Sequence, residues 1–361
     1  MIWNWQQPNW PEWHFNADAL KTQEKQFLLQ SGQLMGVWQH LNNKDQMQLK
    51  IDLLSDEAIQ TSAIEGEYLD RDSVRSFLYK QFGMMSDRRA SPAESGIAAL
   101  MVDCFENVGK RLNHNTLGDW HRLVCRGRDD LAVIGGYRQH SEPMQVFSGA
   151  VHKPKVHFEA PPSDQVQAEM AHFMDWFADT DMSALAKSGL THLWFVSIHP
   201  FEDGNDRIAR ALSEKALAES LGQPSLVALS QTIAKERKAY YTQLESNNKT
   251  MDITDWLVWF ADMVLKAQQH SLDMIHHLIS KTKILDRLRG KLNPRQEKVL
   301  IRMFEAGPEG FIGGLSAKNY ISLTHTTPAT ARRDLSDLVI KGALTRTGER
   351  KGTRYWLNLE A

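Results

Sequence analysis

Apolar residues recur at helical spacing through most of this chain. Leu49, Leu53 and Leu54 begin a pattern that reaches Ile64 and meets Gly66, predicting a helix closed by a glycine cap. Residues 68–135 also read as helical, with Leu117, Trp120, His121 and Val124 on one face. Leu190, Leu193, Trp194 and Ser197 predict a helix running to about Ile198. It should stop there because Pro200 disfavours a helical conformation at His199. Ile208, Ala211, Leu212 and Lys215 resume the spacing, which leaves Gly204 and Asn205 in the turn that opens the next helix. Further helices are predicted at 230–244 and from an Asp252 or Thr254 cap to about Arg289, with a boundary marked by Gly290, Asn293 and Pro294. Two patterns break the helical one. Residues 145–158 hold two short β-prone runs around a Gly, Pro and Lys centre, hence a hairpin. The first fifteen residues, with Trp3, Trp5, Trp10 and Trp13 among prolines and amides, should lie as an extended strap packed by its aromatics.

The fold class expected is mainly α. Its parts are an N-terminal helical region (1–94), a helical core (95–270) with a small β-hairpin, a helical connector (271–291) and a C-terminal domain (292–361). The last reads helix, helix, helix, hairpin, over 296–304, 316–321, 327–340 and a hairpin around 348–352. That is the order of a winged helix-turn-helix.

Composition narrows the function classes. A chain of 361 residues with 42% hydrophobic content can bury a sizeable core. With 42 Lys and Arg against 44 Asp and Glu, no overall field selects nucleic acid or an anionic membrane. Two cysteines, Cys104 and Cys125, are too few for a disulfide framework or a zinc site. The start lacks the basic and apolar regions of a signal peptide, and no apolar run approaches the ~18 residues that span a bilayer. A cytoplasmic, membrane-free protein is the expectation.

The candidate chemistry lies in His199-Pro-Phe-Glu-Asp-Gly-Asn-Asp-Arg-Ile-Ala-Arg210, a loop that opens a helix. Backbone N–H groups at such an N-terminus attract an anion. Arg207 and Arg210, three residues apart, project from one face toward a polyphosphate held there. His199 is the natural proton acceptor, and Asp203 is a hard oxygen ligand suited to Mg²⁺ between protein and phosphates.

At these residues the chain resembles the Fic family, whose motif is HPFx(D/E)GN(G/K)RxxR; every specified position but one agrees. The resemblance implies Mg²⁺-dependent transfer of AMP from ATP to a Ser, Thr or Tyr hydroxyl of a target protein, or of the chain itself. It implies His199 as base, Asp203 on the metal, Gly204, Asn205 and Arg207 at the phosphates, and Arg210 on the terminal phosphates. Asp206 departs from the motif, standing where the family has Gly or Lys. Tyr240 and Tyr241 either border the nucleotide base or pack in the core.

Upstream, Thr61-Ser-Ala-Ile-Glu65-Gly66 resembles the family's inhibitory motif (S/T)xxxE(G/N), implying that Glu65 pairs with Arg210 and denies it to the γ-phosphate. A capping box from Ser62 to Glu65 is the alternative. The hairpin matches the family's flap, with Val146, Phe147, Ser148, Gly149 and Val151 positioned to dock a target segment by strand pairing. His152 and His157 read as surface residues, and the strap running into helices resembles the region that precedes the domain in one bacterial group of the family.

Two other functions stay open. Glu65 can instead orient a water, so that the site removes AMP from modified proteins, or Asp206 cripples the site and the chain acts as a DNA-binding regulator. For the latter, residues 292–361 carry eleven Lys and Arg against seven Asp and Glu, a net of +4, with Arg332, Arg333, Arg350 and Lys351 where DNA phosphates would sit. A protein-binding role for the winged helix and a homodimer stay open as well.

Overall fold

The computed structural model describes residues 2–149, 154–308 and 310–359. Of the residues expected on the hairpin, Val151 and His152 fall outside these. The chain divides into two units, Met1–Ser271 and Leu272–Ala361. The first holds helices α1 (Lys21–His40), α2 (Asn43–Ile64), α3 (Arg71–Gln81), α4 (Pro92–Glu106) and α5 (His114–Val124). The hairpin β1 (Gln145–Ser148) and β2 (Lys155–Glu159) follows, then α6 (Val166–Asp179), α7 (Ala184–Ile198), α8 (Asn205–Leu221), α9 (Leu229–Lys235) and α10 (Arg237–Asn247). The division falls inside α11 (Thr254–Arg287). The second unit goes on through α12 (Pro294–Phe304), α13 (Ala317–Thr324), α14 (Pro328–Ile340), β3 (Leu344–Thr347) and β4 (Arg354–Leu357).

Every residue of α7 is buried, so this helix has no polar face and forms the axis of the first unit. Around it one apolar cluster reaches from Leu20 to Ala267, so residues 1–94 and 95–270 share a core. α2 packs against α3, α4, α8 and α9. That contact carries the C-terminal end of α2 to the loop between α7 and α8.

The continuous helical reading of 68–135 is corrected: α3, α4 and α5 are separated by stops, and residues 125–144 are not helical. The breaks are chemical. Gly83 turns with a φ of +76°, and Ser91 caps α4 through a reciprocal bond pair with Glu94, Pro92 standing at its first turn. The strap behaves as its aromatics require: Trp3 packs edge-on to Phe158, Trp5 Nε1 donates to Glu159 O at 2.6 Å, and Asn4 Nδ2 donates to Ser197 Oγ at 2.8 Å. It thereby ties the base of the hairpin to α7.

In the second unit Asn293, Ser316 and Thr327 cap α12, α13 and α14 with their own side chains, and the two strands pair antiparallel from Leu344–Leu357 to Thr347–Arg354. Three helices and a hairpin enclose a separate core around Leu300, Tyr320 and Leu335.

Candidate functional site

The loop is built by two left-handed residues. His199 caps α7 at φ 50° and ψ 60°, and Gly204 precedes α8 at φ 78°. A Cβ on Gly204 would stand 2.7 Å from Val124 Cγ1, so only glycine fits this turn. Asn205 closes the loop by accepting from Phe201 N–H at 2.9 Å and donating to Phe201 O at 2.8 Å. These two bonds tie its amide to the loop and use one of its two Nδ2 hydrogens. Below, His121 stacks on Phe201 at 4.2 Å and accepts from Gly135 N–H at 2.9 Å. Burial pushes its pKa down to about 4, and it serves as packing and not as a second base.

The sequence reading missed Arg138. Its buried guanidinium donates to the carbonyls of His199 at 2.8 Å and Ile198 at 3.3 Å, acceptors left over where α7 ends, and to the carbonyl of Pro161 at 2.5 Å. The strained His199 backbone is thus held from behind.

His199 is itself buried, which pushes its pKa down to about 4. Its Nδ1 lies 3.3 Å from Val196 O. A carbonyl only accepts, so Nδ1 carries the hydrogen and Nε2 keeps a lone pair. The residue lines a cavity of about 600 Å³ together with Val146, Phe147 and Ser148 of β1, Glu65, Asp206 and Tyr241. Phe147 is 61% exposed and Val146 41%, leaving the expected docking edge open.

On the other side of Glu65 is a second cavity, about 680 Å³, lined by Asp203, Arg207, Arg128 and Gly66. Asp203 accepts from Gly204 N–H at 2.6 Å and from Arg128 Nη1 at 2.6 Å. These donors hold it below the ordinary carboxylate range in spite of partial burial. One ionised, half-exposed carboxylate facing an open cavity fits Mg²⁺, which takes one or two carboxylates plus phosphate oxygens and water. Among the described residues no group of three or more His, Cys, Asp or Glu is placed to hold a metal. Arg128 would have to swing toward Asp130, which already binds its other edge at 2.5 Å.

The end of α2 supplies two carboxylates to the arginines of α8. Glu65 Oε1 accepts from Arg210 Nη2 at 2.8 Å, and Glu67 Oε2 accepts from Arg207 Nη1 at 2.9 Å. Arg210 is wholly buried and also donates to Thr61 Oγ1 at 2.8 Å and Thr61 O at 2.9 Å. Glu65 Oε2 accepts from Tyr241 O–H at 3.2 Å. Because α2 ends at Ile64 with Glu65 as its C-terminal cap, Ser62 and Glu65 stand at the wrong end for a capping box, and that alternative falls.

Asp206 and Asp203 line different cavities. Asp206 lines the His199 cavity and accepts from Tyr240 O–H at 3.2 Å, beside Arg210. Burial raises its pKa and that of Glu65, while Arg210 opposes the rise in both. Tyr240 is fully buried behind Arg210, with no face for a nucleotide base, so of the two tyrosines only Tyr241 remains as a base-side candidate. His157 is half-buried, and its Nδ1 lies 2.9 Å from Oε2 of Glu245 on α10.

Residues 3–84 match a domain of unknown function, DUF4172, and residues 111–217 match the Fic/DOC family. A stretch of 103 residues is 37% identical to the uridine 5'-monophosphate transferase of Xanthomonas campestris; it is 26% of this chain and 18% of that relative, so most of the relative's length has no counterpart here. A Fic family protein from Desulfovibrio desulfuricans superposes with a TM-score of 0.54 over 93% of this chain and 95% of its own, at 21% identity. A Fic-domain signalling protein from Bacteroides thetaiotaomicron does so with a TM-score of 0.52 over 70% of this chain and 97% of its own, at 19% identity. The likeness reaches the fold well beyond the motif, and residues 111–217, with the loop that begins at His199 inside them, are a Fic/DOC-family domain.

Proposed function

We propose that the chain transfers a nucleoside monophosphate, AMP from ATP first among the candidates, to a hydroxyl of a protein docked on β1. The observation that carries this is His199, neutral, with Nδ1 engaged and Nε2 available, on the cavity that the exposed β1 edge also lines. The hydroxyl attacks the α-phosphorus as its proton passes to Nε2, and pyrophosphate leaves. Arg207, Arg210 and the first amides of α8 stabilise the charge that develops. Asp203 would hold Mg²⁺, whose chemistry there is neutralisation of phosphate charge.

In this conformation Glu65 and Glu67 occupy the arginines that a polyphosphate needs, so the state is read as autoinhibited. Removal of AMP by a water on Glu65 is the second reading; that water would share the carboxylate with Arg210 and Tyr241. The Xanthomonas relative is named for transfer of uridine 5'-monophosphate, so UTP is the second donor to test. Incubation with each labelled nucleotide, Mg²⁺ and protein targets tests the reading: label on protein supports it, and loss of label from a premodified target favours removal.

Asp206 acts in this reading as a second internal anion beside Arg210. Asp206→Gly in a Glu65→Gly background is expected to tighten nucleotide binding and raise transfer about tenfold, the lower end of a charge-pair repulsion near 4 Å. Titration of the nucleotide into both variants, followed by initial rates, checks this. Lower activity in the Gly variant would make Asp206 a functional ligand.

For residues 292–361 we propose DNA as partner, since Arg332, Arg333, Arg350 and Lys351 are all exposed on α14 and the hairpin turn. Arg332→Ala with Arg333→Ala should weaken DNA binding by the full chain and flatten its salt dependence by about two phosphate contacts. No gel shift at low salt would favour a protein partner instead.

A further inference from the structure

The hairpin contains an irregularity that the docking role does not need. Val146 pairs with Phe158 and Phe147 with Val156, so His157 is an extra residue opposite nothing on β1. Such a bulge re-aims a side chain. Here it wedges the imidazole between the end of β1 and α10: Ser148 Oγ lies 2.7 Å from His157 Nε2, and His157 Nδ1 lies 2.9 Å from Glu245 Oε2. Glu245 also accepts from Lys155 Nζ at 2.8 Å, and these donors keep its carboxyl below the usual range. An ionised carboxylate only accepts, so Nδ1 carries the hydrogen; in the neutral imidazole the Nε2 lone pair then faces the Ser148 hydroxyl and accepts from it. Serine, histidine and acid stand in the relative order that activates a hydroxyl nucleophile. All three line the cavity that holds His199.

We infer that Ser148 is an activated hydroxyl and the chain's own acceptor for the nucleotidyl group. This rests on the nucleotidyl-transfer reading of the loop. Ser148 Oγ attacks the α-phosphorus of a bound nucleoside triphosphate. The Oγ–phosphorus bond forms as the bond to the bridging oxygen breaks, and pyrophosphate departs. The hydroxyl proton passes to His157 Nε2, the resulting imidazolium is paired with Glu245, and the proton is then lost to water. A nucleotide on Ser148 would sit at the end of the docking edge, in the path of an incoming strand.

Full-length Glu65→Gly protein is incubated with Mg²⁺ and ATP, GTP, CTP or UTP in turn, digested with trypsin, and the peptide 139–155 sequenced by mass spectrometry. In parallel the same protein is treated with a fluorophosphonate, an electrophile that activated serines attack at phosphorus without any nucleotide. The nucleotidyl mass is expected on Ser148 and lost in Ser148→Ala. Both nucleotide and fluorophosphonate labelling should slow at least about tenfold in His157→Gln, since general-base assistance contributes about 10²-fold or more. The inference is overturned if the nucleotidyl mass appears elsewhere while 139–155 stays unmodified, or if Ser148 reacts with the fluorophosphonate no faster than Ser141 of the same peptide. Fluorophosphonate on Ser148 that depends on His157, with no nucleotide transferred to any protein, would leave the activated serine standing and remove the nucleotidyl reading.

Discussion

His199→Ala is expected to lower the rate of nucleotidyl transfer by about 10²- to 10⁴-fold, the range over which a positioned general base acts. Nucleotide affinity should change by less than about twofold, because the imidazole meets the reacting proton and not the phosphates in the ground state. The pH dependence makes the assignment sharper. With its pKa near 4, His199 is already neutral at pH 5. The base-competent form is the deprotonated one, so activity attributable to it is fully present above about pH 5 and is lost only as pH falls through 4. A kcat/KM profile, which reports the free enzyme, should therefore lack the fall near pH 6.5 that an ordinary histidine produces. A variant with near-normal turnover would remove His199 from the chemistry, and a limb near 6.5 would place another histidine in its role.

The reason this residue could be read from sequence is that its surroundings are local. Pro200 ends α7, Gly204 turns the chain, and Asn205 closes the loop onto Phe201, all within seven residues. Spacing along the chain is nearly distance in space there. Glu65 was legible for a related reason: the end of α2 is marked by Gly66 at φ +85°, which fixes where the carboxylate must leave the helix. The partners that were missed are brought in by packing across long separations. Arg128 reaches Asp203 over 75 residues, Glu67 reaches Arg207 over 140, and Glu245 reaches His157 over 88. One local signal was present and overlooked. Gly127 beside Asp129 and Asp130 marks a turn, where the residue face of α5 had been extended as helix. Arg138 offered none, since its acceptors are backbone carbonyls that α7 leaves unpaired only once the loop has folded. The same limit hid the burial of Tyr240 behind Arg210, because two adjacent tyrosines on α10 look alike until α7 and α11 close over one of them.

Glu65→Gly should raise transfer, and automodification with it, by about 10- to 100-fold at nucleotide concentrations below KM. A polyphosphate gains the Arg210 guanidinium only by displacing Glu65, and a hydrogen bond between charged groups is worth about 1.5–3 kcal/mol, a factor of roughly 10 to 150 in the accessible population. Apparent affinity falls by the fraction of molecules in the competent state, so the variant should act mainly on KM for the nucleotide. The release is incomplete, because Thr61 holds Arg210 through both its hydroxyl and its carbonyl whether or not the carboxylate is present. Glu65→Gln, which keeps the shape and loses the charge, should therefore fall between wild type and Gly, and Thr61→Ala added to Glu65→Gly should raise the rate again. Glu67→Gln serves as the contrast: it frees Arg207, at the metal-side cavity, and leaves the Glu65–Arg210 pair intact. Initial rates across a range of nucleotide concentrations for the four variants separate these contributions. If Glu65→Gly transfers no more label than wild type at any concentration, the Glu65–Arg210 pair is a structural tie between α2 and α8, and access to the phosphate site is controlled elsewhere.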